Sequence, residues 1–354
     1  MTFAIGDRLV GPDEPTYFVA DIAANHDGDL DRALELVKLA AEAGADAAKF
    51  QNFSAAGIVS DYGFRAMGGQ QSHQASWSKS VFEVYADASI PHDWTPRLAE
   101  ACAENGIDYF SAPYDLAAID MLEPYVPAYK VGSGDVNWLE SIRAMAGKGK
   151  PILIATGAAS LGDVVAAMGA AAEITSDICV MQCNTNYTGD LENLRYINLN
   201  VLKTYSLLFP DAVLGLSDHT PGHVTVLGAI ALGARVVEKH FTDDSSRSGP
   251  DHSFSMDPGT WRSMVDSARD LEAALGSSLK QVEPNETETV VLQRRCLRAA
   301  RPLARGEQLT AADVEALRPA TPGALPPDAL SSIVGRVLTE DLEHGQDISW
   351  SVLR

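Results

Sequence analysis

Six side chains able to do chemistry stand near the ends of apolar runs in this sequence. Asp21 lies in YFVADIA, Lys49 in AAKFQ and Lys130 in AYKVG; His219 follows AVLGLSD, and Glu238 and His240 lie in VVEKHF. An extended strand sends alternate side chains to opposite faces. Leu214 and Leu216 then point one way, and Gly215, Ser217 and His219 the other. His219 is either a satisfied core histidine or part of a face that lines a site. The same alternation puts Val236, Glu238 and His240 on one face and Val237, Lys239 and Phe241 on the other. It groups Asp21 with Val19 and Ala23, separates Lys49 and Gln51 from Ala48 and Phe50, and sets Gln182 and Asn184 opposite Cys179, Met181 and Cys183. Unpaired buried charge is costly. One buried lysine can be an accident of packing, but six ionisable groups at strand ends are expected to share a site.

Two histidines are too few for a structural zinc, which four ligands normally close. Two histidines with open positions suit a catalytic divalent cation that keeps water or substrate bound. Structural alternatives stand beside this reading. Lys49 and Asp21 can form a plain internal ion pair. Lys239 is expected to be a solvated or snorkelling residue on the outer face. His26, His73, His223, His252 and His344 read as surface or hydrogen-bonding residues. Two small-residue loops, VGSGD (131–135) and ATGAAS (155–160), can turn backbone NH groups toward an anion. SRSGPDH (246–252) adds Arg247 and Asp251 after the last strand.

The elements that must position these groups alternate along the chain. Strand-like runs are expected at 17–23, 47–51, 108–112, 128–132, 151–156, 178–183, 212–217 and 236–241. Helices are expected at 29–44, 92–106, 116–123, 138–147, 161–173, 198–209, 222–233 and 260–276. Asp29 is a plausible N-cap and Gly44 a stop. Segment 52–91 has no clean period, and SDYGFRAMGGQQSHQ reads as an active-site loop. Alternation of this kind means a parallel sheet, and eight repeats suggest a closed (β/α)8 TIM barrel, whose functional groups sit at the C-terminal strand ends. An open doubly wound sheet needs a phosphate-binding glycine turn after the first strand, and ANHDGD is not one. Barrel 1–276 is followed by a polar linker, 277–293, and a small module, 294–354. There RPLARGEQLTAADV and EDLEHGQDISWSVL form a weak internal repeat.

Of the 354 residues, 46% are apolar, 48 are acidic and 27 basic, for a formal charge of −21. That balance argues against nucleic acid, which asks for basic patches, so an anion site must be made locally. No apolar run is long enough for a membrane span. The N-terminus lacks a signal-peptide pattern. Cys102, Cys179, Cys183 and Cys296 form no metal-binding spacing. They are expected to be reduced core residues of a cytoplasmic protein.

ADIAANHDG, AGADAAKFQ, PAYKVGSGD, GLSDHT, EKHFTDD and GPDHSFSM resemble, in order, the motifs of the N-acetylneuraminate (sialic acid) synthase family, which includes the legionaminate and pseudaminate synthases. Residues 294–354 resemble that family's C-terminal antifreeze-like (SAF) domain. The resemblance implies condensation of phosphoenolpyruvate with an open-chain N-acetylhexosamine, N-acetylmannosamine or a related sugar, to a nine-carbon 2-keto-3-deoxy acid and phosphate. It implies a divalent metal on His219 and His240, Mn2+ foremost, with Mg2+ or Co2+ as alternatives. It implies phosphoenolpyruvate contacts from Lys49, Lys130, Ser133 and Ser217, with Asn184 in the same substrate set. Sugar contacts are implied from Asp135 and Tyr187, with Arg247 and Asp251 nearby. It also implies a domain-swapped homodimer in which Arg318 reaches the sugar's acylamino group. Asp21 and Asp135 stand where the family usually has glutamate, Asp21 at the position assigned to water activation or proton transfer. Ala112 and Ala155 replace hydroxyl residues, and CNTNYTG departs from the commoner pattern. These departures point to a related, differently substituted aldose. A metal-dependent hydrolase and a non-catalytic sugar-binding relative are the competing classes.

Overall fold

The structure is a computed structural model that describes residues 1–67, 74, 77–187 and 189–354. His73 and part of the expected loop lie outside the described residues. The chain divides into two compact units, Met1–Gly276 and Ser277–Arg354.

The first unit is built on eight parallel strands: β3 Tyr17–Asp21, β4 Ala47–Asn52, β5 Asp108–Pro113, β6 Tyr129–Val131, β7 Ile152–Ala155, β8 Ile178–Cys183, β9 Val213–Asp218 and β10 Ala234–His240. They run in the order β5-β4-β3-β10-β9-β8-β7-β6. The end strands β5 and β6 lie beside each other, so the sheet curls into a barrel. Helices follow the strands, from Leu30–Glu42 to Pro258–Leu275. Asp29 caps the first of them, its carboxylate accepting from the NH groups of Asp31 and Arg32. Gly44, at φ 92°, turns the chain out of that helix.

Each strand sorts its side chains as the alternation requires. Phe18, Ala20, Ala48, Phe50, Leu214, Leu216 and Val237 pack outward beneath the helices. Val19, Ala47, Phe110, Leu153, Met181 and Val236 pack inward. Gly215 faces inward because a Cβ there would press on Met181 and Cys179. An antiparallel hairpin that the sequence reading did not foresee, β1 Phe3–Ile5 and β2 Arg8–Val10, joins this inner cluster. Its Phe3, Ile5 and Val10 are buried with Tyr17 and Val213, near the N-terminal strand ends. Burying three such side chains stabilises by about 5 kcal/mol. The barrel is therefore apolar at its N-terminal end and has room for polar groups only at the other.

Segment 52–91 is not a bare loop. It carries short helices at Ala55–Ile58, Asp61–Ala66 and Val81–Ala88. Ser80 and Glu83 form a reciprocal cap at the start of the last one. No helix among the described residues is long and apolar enough to cross a membrane.

In the second unit, the expected linker includes a helix, Thr287–Gln293. The strands β11 Cys296–Ala299 and β12 Val314–Leu317 pair antiparallel. The two repeat segments adopt the same shape. Leu303 and Leu342 bridge each other, Gly306 and Gly345 turn with positive φ, and the 3-10 turns Ala311–Asp313 and Trp350–Val352 end the segments.

Candidate functional site

The C-terminal ends of five strands bring the ionisable groups together. On β4, Lys49 Nζ lies 2.6 Å from Asp21 Oδ2 on β3 and 3.5 Å from Glu238 Oε1 on β10. On β6, Lys130 Nζ lies 3.3 Å from the same Glu238 oxygen. Ser217 on β9 donates to it at 3.2 Å. Glu238 is thus the hub between both lysines. Sequence reasoning had placed it among the inward charges without giving it a role. All four charged groups are under 5% exposed. Burial alone favours neutral lysine. Here Asp21 and Glu238 outweigh it and hold Lys49 above its ordinary range. Burial would raise Glu238, but Lys130 and Lys49 pull it down to about 2. Burial raises Asp21, with Lys49 opposing and Glu238 reinforcing. The Lys49–Asp21 ion pair is real, and it is one edge of a network rather than an isolated pair.

His219 and His240 follow on the same inner faces, their ring centroids 5.3 Å apart. Burial, then the neighbouring imidazole, lowers His219 to about 4. Burial, then Lys49, lowers His240 to about 3. Both are neutral at pH 7, the form that binds metals. His219 Nδ1 meets the Asn184 carbonyl at 3.0 Å, which leaves Nε2 as the ring's lone pair. His240 Nδ1 is buried with no hydrogen-bond partner among the described residues. Among the described residues no three His, Cys, Asp or Glu side chains form a metal cage. The donor set therefore fits an open cation site of two imidazoles and does not fit a closed structural one.

A cavity of about 370 Å³ opens beside His240. Ser133, Asp135, Tyr187 and Asp251 line it, with Gln51, Tyr85, Tyr114 and Thr185. Tyr187 packs edge-on against His219, centroids 4.4 Å apart. Thr185 donates to Ser133 at 2.8 Å. Gly157 of the ATGAAS loop leaves the room this requires, since a Cβ there would collide with Thr185. Thr185 was not foreseen, and that glycine is the only sequence signal for it. Burial raises Asp135 to about 6 against the pull of Lys130. Burial likewise raises Asp251 to about 6, although the Ala24 NH opposes it. A carboxyl raised on folding binds its proton more readily than in the unfolded chain, so these two oppose folding at pH 7 and cease to do so near pH 4. Only their ionised forms accept two hydroxyl protons. A hydroxyl-bearing ligand held by these two carboxylates would therefore bind more weakly as pH falls through about 6. Asp251→Asn should flatten that dependence; an unchanged profile would show that Asp251, though it lines the cavity, holds no such ligand.

Three expectations need correction. Lys239 is not solvated. Outward on a barrel strand means under the helix layer, and Lys239 Nζ lies there 2.6 Å from Asp218 Oδ2 and 2.6 Å from the Thr220 carbonyl. Asp218 also accepts from Thr225. This pair ties the ends of β9 and β10 together, one residue from each imidazole. Lys239→Met should cost about 3–5 kcal/mol by stranding a buried carboxylate. Urea denaturation measures this, and a loss below about 1 kcal/mol would refute the clamp. Arg247 does not line the cavity. Its guanidinium binds Asp27 at 2.9 Å, within a network in which Arg32 holds Asp243 with two hydrogen bonds and His252 holds Asp27. Asn184 turns its amide to the Tyr196 carbonyl and offers its own carbonyl to His219. Gln182, opposite Cys179 and Met181 as alternation requires, donates to the Ile197 carbonyl. Arg318, in the second unit, is exposed.

A parallel barrel with buried lysines, carboxylates and paired imidazoles at its C-terminal strand ends defines a (β/α)8-barrel enzyme. A family model described as the NeuB family matches residues 36–280, and one described as the SAF domain matches 294–354. The chain is 33% identical to the N,N'-diacetyllegionaminic acid synthase of Legionella pneumophila, covering 98% of this chain and 96% of that one. It is 32% identical to the N-acetylneuraminate-9-phosphate synthase of Homo sapiens, covering 96% and 93%. The crystal structure of the spore coat polysaccharide biosynthesis protein SpsE of Bacillus subtilis superposes with a TM-score of 0.66 at 31% identity, covering 100% of this chain and 99% of that one. The chain belongs to the NeuB family, and it is an enzyme of the sialic-acid-synthase type.

Proposed function

We propose that the protein condenses phosphoenolpyruvate with the aldehyde of an open-chain N-acylated aldose. C3 of phosphoenolpyruvate bonds to the aldehyde carbon, water adds at C2, and the C2–O bond to phosphate breaks. The products are a 2-keto-3-deoxy acid and phosphate. The convergence of Lys49 and Lys130 on one buried acidic hub, beside two neutral imidazoles, carries this reading. In a chain of charge −21, these lysines, each now paired with a buried carboxylate, are the cationic side chains at the strand ends to which a phosphorylated carboxylic acid would bind. Ser133 and Ser217 supply hydroxyls to it. Asp21, raised by burial and 2.6 Å from Lys49, takes a proton from the attacking water. Asp135, Tyr187 and Asp251 hold the sugar.

His219 and His240 are the residues that would hold a divalent cation, Mn2+ ahead of Mg2+ or Co2+. A cation bound there would supply Lewis acidity to a carbonyl oxygen. The four cysteines are free and buried, which suits the cytoplasm as the proposed location. A homodimer is the finer part of the proposal, with the partner subunit's Arg318 binding the acylamino group.

Phosphate release from phosphoenolpyruvate tests the reading. Release should require an N-acylated aldose and a divalent cation. Lys130→Ala should raise the KM for phosphoenolpyruvate by about tenfold or more, the cost of one charge-assisted hydrogen bond. Arg318→Ala should raise only the aldose KM. Release without aldose, or hydrolysis of other esters without phosphoenolpyruvate, would defeat the condensation.

A further inference from the structure

Lys239 and Asp218 carry buried charge that the proposed chemistry does not use. They are 1% and 2% exposed, beneath the helix layer. Breaking such a pair is costly, yet an intact buried pair contributes little net stability compared with apolar residues of similar volume. What it does supply is a fixed geometry. The Lys239 ammonium donates to the residue on either side of His219: to the Asp218 carboxylate at 2.6 Å and to the Thr220 carbonyl at 2.6 Å. Lys239 itself immediately precedes His240. Asp218 also accepts from the Thr220 NH at 3.2 Å, and from the hydroxyls of Thr220 at 3.0 Å and Thr225 at 2.6 Å. Thr225 belongs to the helix Val224–Ala231, so the cluster also fixes the turn that follows His219.

The backbone ladder does not hold the two histidines to each other. Its last pair between β9 and β10 is Asp218 with Lys239. His219 lies beyond the end of β9, whereas His240 pairs with Asp21 on β3. The His219 ring is oriented by the Asn184 carbonyl, but its main chain is tied to β10 through the Lys239 ammonium. Two ligands of one cation must be held within about 0.5 Å of the productive geometry. We infer that Lys239 is a positioning residue: its grip on both neighbours of His219 sets the separation of the two imidazoles. The inference deepens the proposed cation site and rests on it for the use made of that separation.

The double variant Lys239→Met with Asp218→Leu tests it, because it removes both charges and strands neither. Melting of the full chain should stay close to native. Mn2+ binding, measured by calorimetry, should weaken about 10- to 100-fold, the scale on which groups behind a metal ligand are felt. A crystal structure of the variant should show the imidazole centroids moved from their 5.3 Å separation. The KM for phosphoenolpyruvate, whose lysines lie on β4 and β6, should stay near native while kcat falls. Native Mn2+ affinity with unmoved rings in the folded double variant overturns the inference and leaves the cation site standing. Displaced rings in the variant, with no Mn2+ binding by the native chain, uphold the inference and bring down the cation site. Should the double variant not fold, Thr225→Val decides the matter. It strands no charge and keeps the side chain's shape, and it should weaken Mn2+ binding by about threefold, the scale of one lost hydrogen bond. Unchanged affinity there overturns the inference.

Discussion

Alanine at position 219 or 240 lowers turnover about a thousandfold or more, the scale on which removing a group that stabilises developing charge is felt. The two positions share one buried environment. Both imidazoles are buried, both are neutral at pH 7, and they face each other across 5.3 Å between ring centroids. Neither is needed to neutralise another buried charge, so the barrel should survive either substitution. The expected signature is a folded variant with near-native melting, lost activity and weakened binding of Mn2+ measured by calorimetry. If His240→Ala keeps full Mn2+ affinity and turnover, the imidazole pair is not the cation site.

Glu238→Ala should cost about 3–5 kcal/mol of stability, on the scale expected for Lys239→Met, because it strands the buried Lys130 ammonium and removes one of the two carboxylates beside Lys49. Lys49 would keep Asp21 at 2.6 Å. Among the described residues, the hydrogen bond left to Lys130 is to the Val131 carbonyl, at 3.2 Å. The pH dependence follows in sign. Glu238 is held well below the ordinary carboxyl range in the folded chain, so its contribution is fully present above about pH 4.5 and fades as pH falls toward 2. The variant should therefore lose the acid limb of the stability profile that Glu238 supplies. Glu238→Gln keeps the shape and one acceptor and should cost less than alanine. Chemical denaturation between pH 3 and 7 measures all three chains. Equal stability of the native and alanine forms at pH 7 would show that the lysines do not depend on this hub.

How far the site was legible can be judged residue by residue. Asp21, Lys49, Lys130, Ser217, His219, Glu238 and His240 were readable because strand alternation is strictly two-residue, and a barrel has one inner face. The same rule misled at Lys239. Alternation says which face a residue takes, but not whether water or a helix covers that face. Arg247 was read from the loop after the last strand, where there is no period to apply, and only the folded chain sets Asp27 and Asp243 beside its guanidinium. Asn184 lies just past β8, where alternation ceases to apply.

By itself the sequence determined the strand–helix alternation, the inward set of charges and the two-part chain, because periodicity and local stop signals are encoded within a few residues of one another. Only the tertiary structure decided that one carboxylate would hold both lysines, that a hairpin from the N-terminus would join the inner core, and that Lys239 would grip the residues on both sides of His219. Those pairings join groups far apart in the chain. Their energies come from mutual burial and distance, and neither exists until the barrel closes.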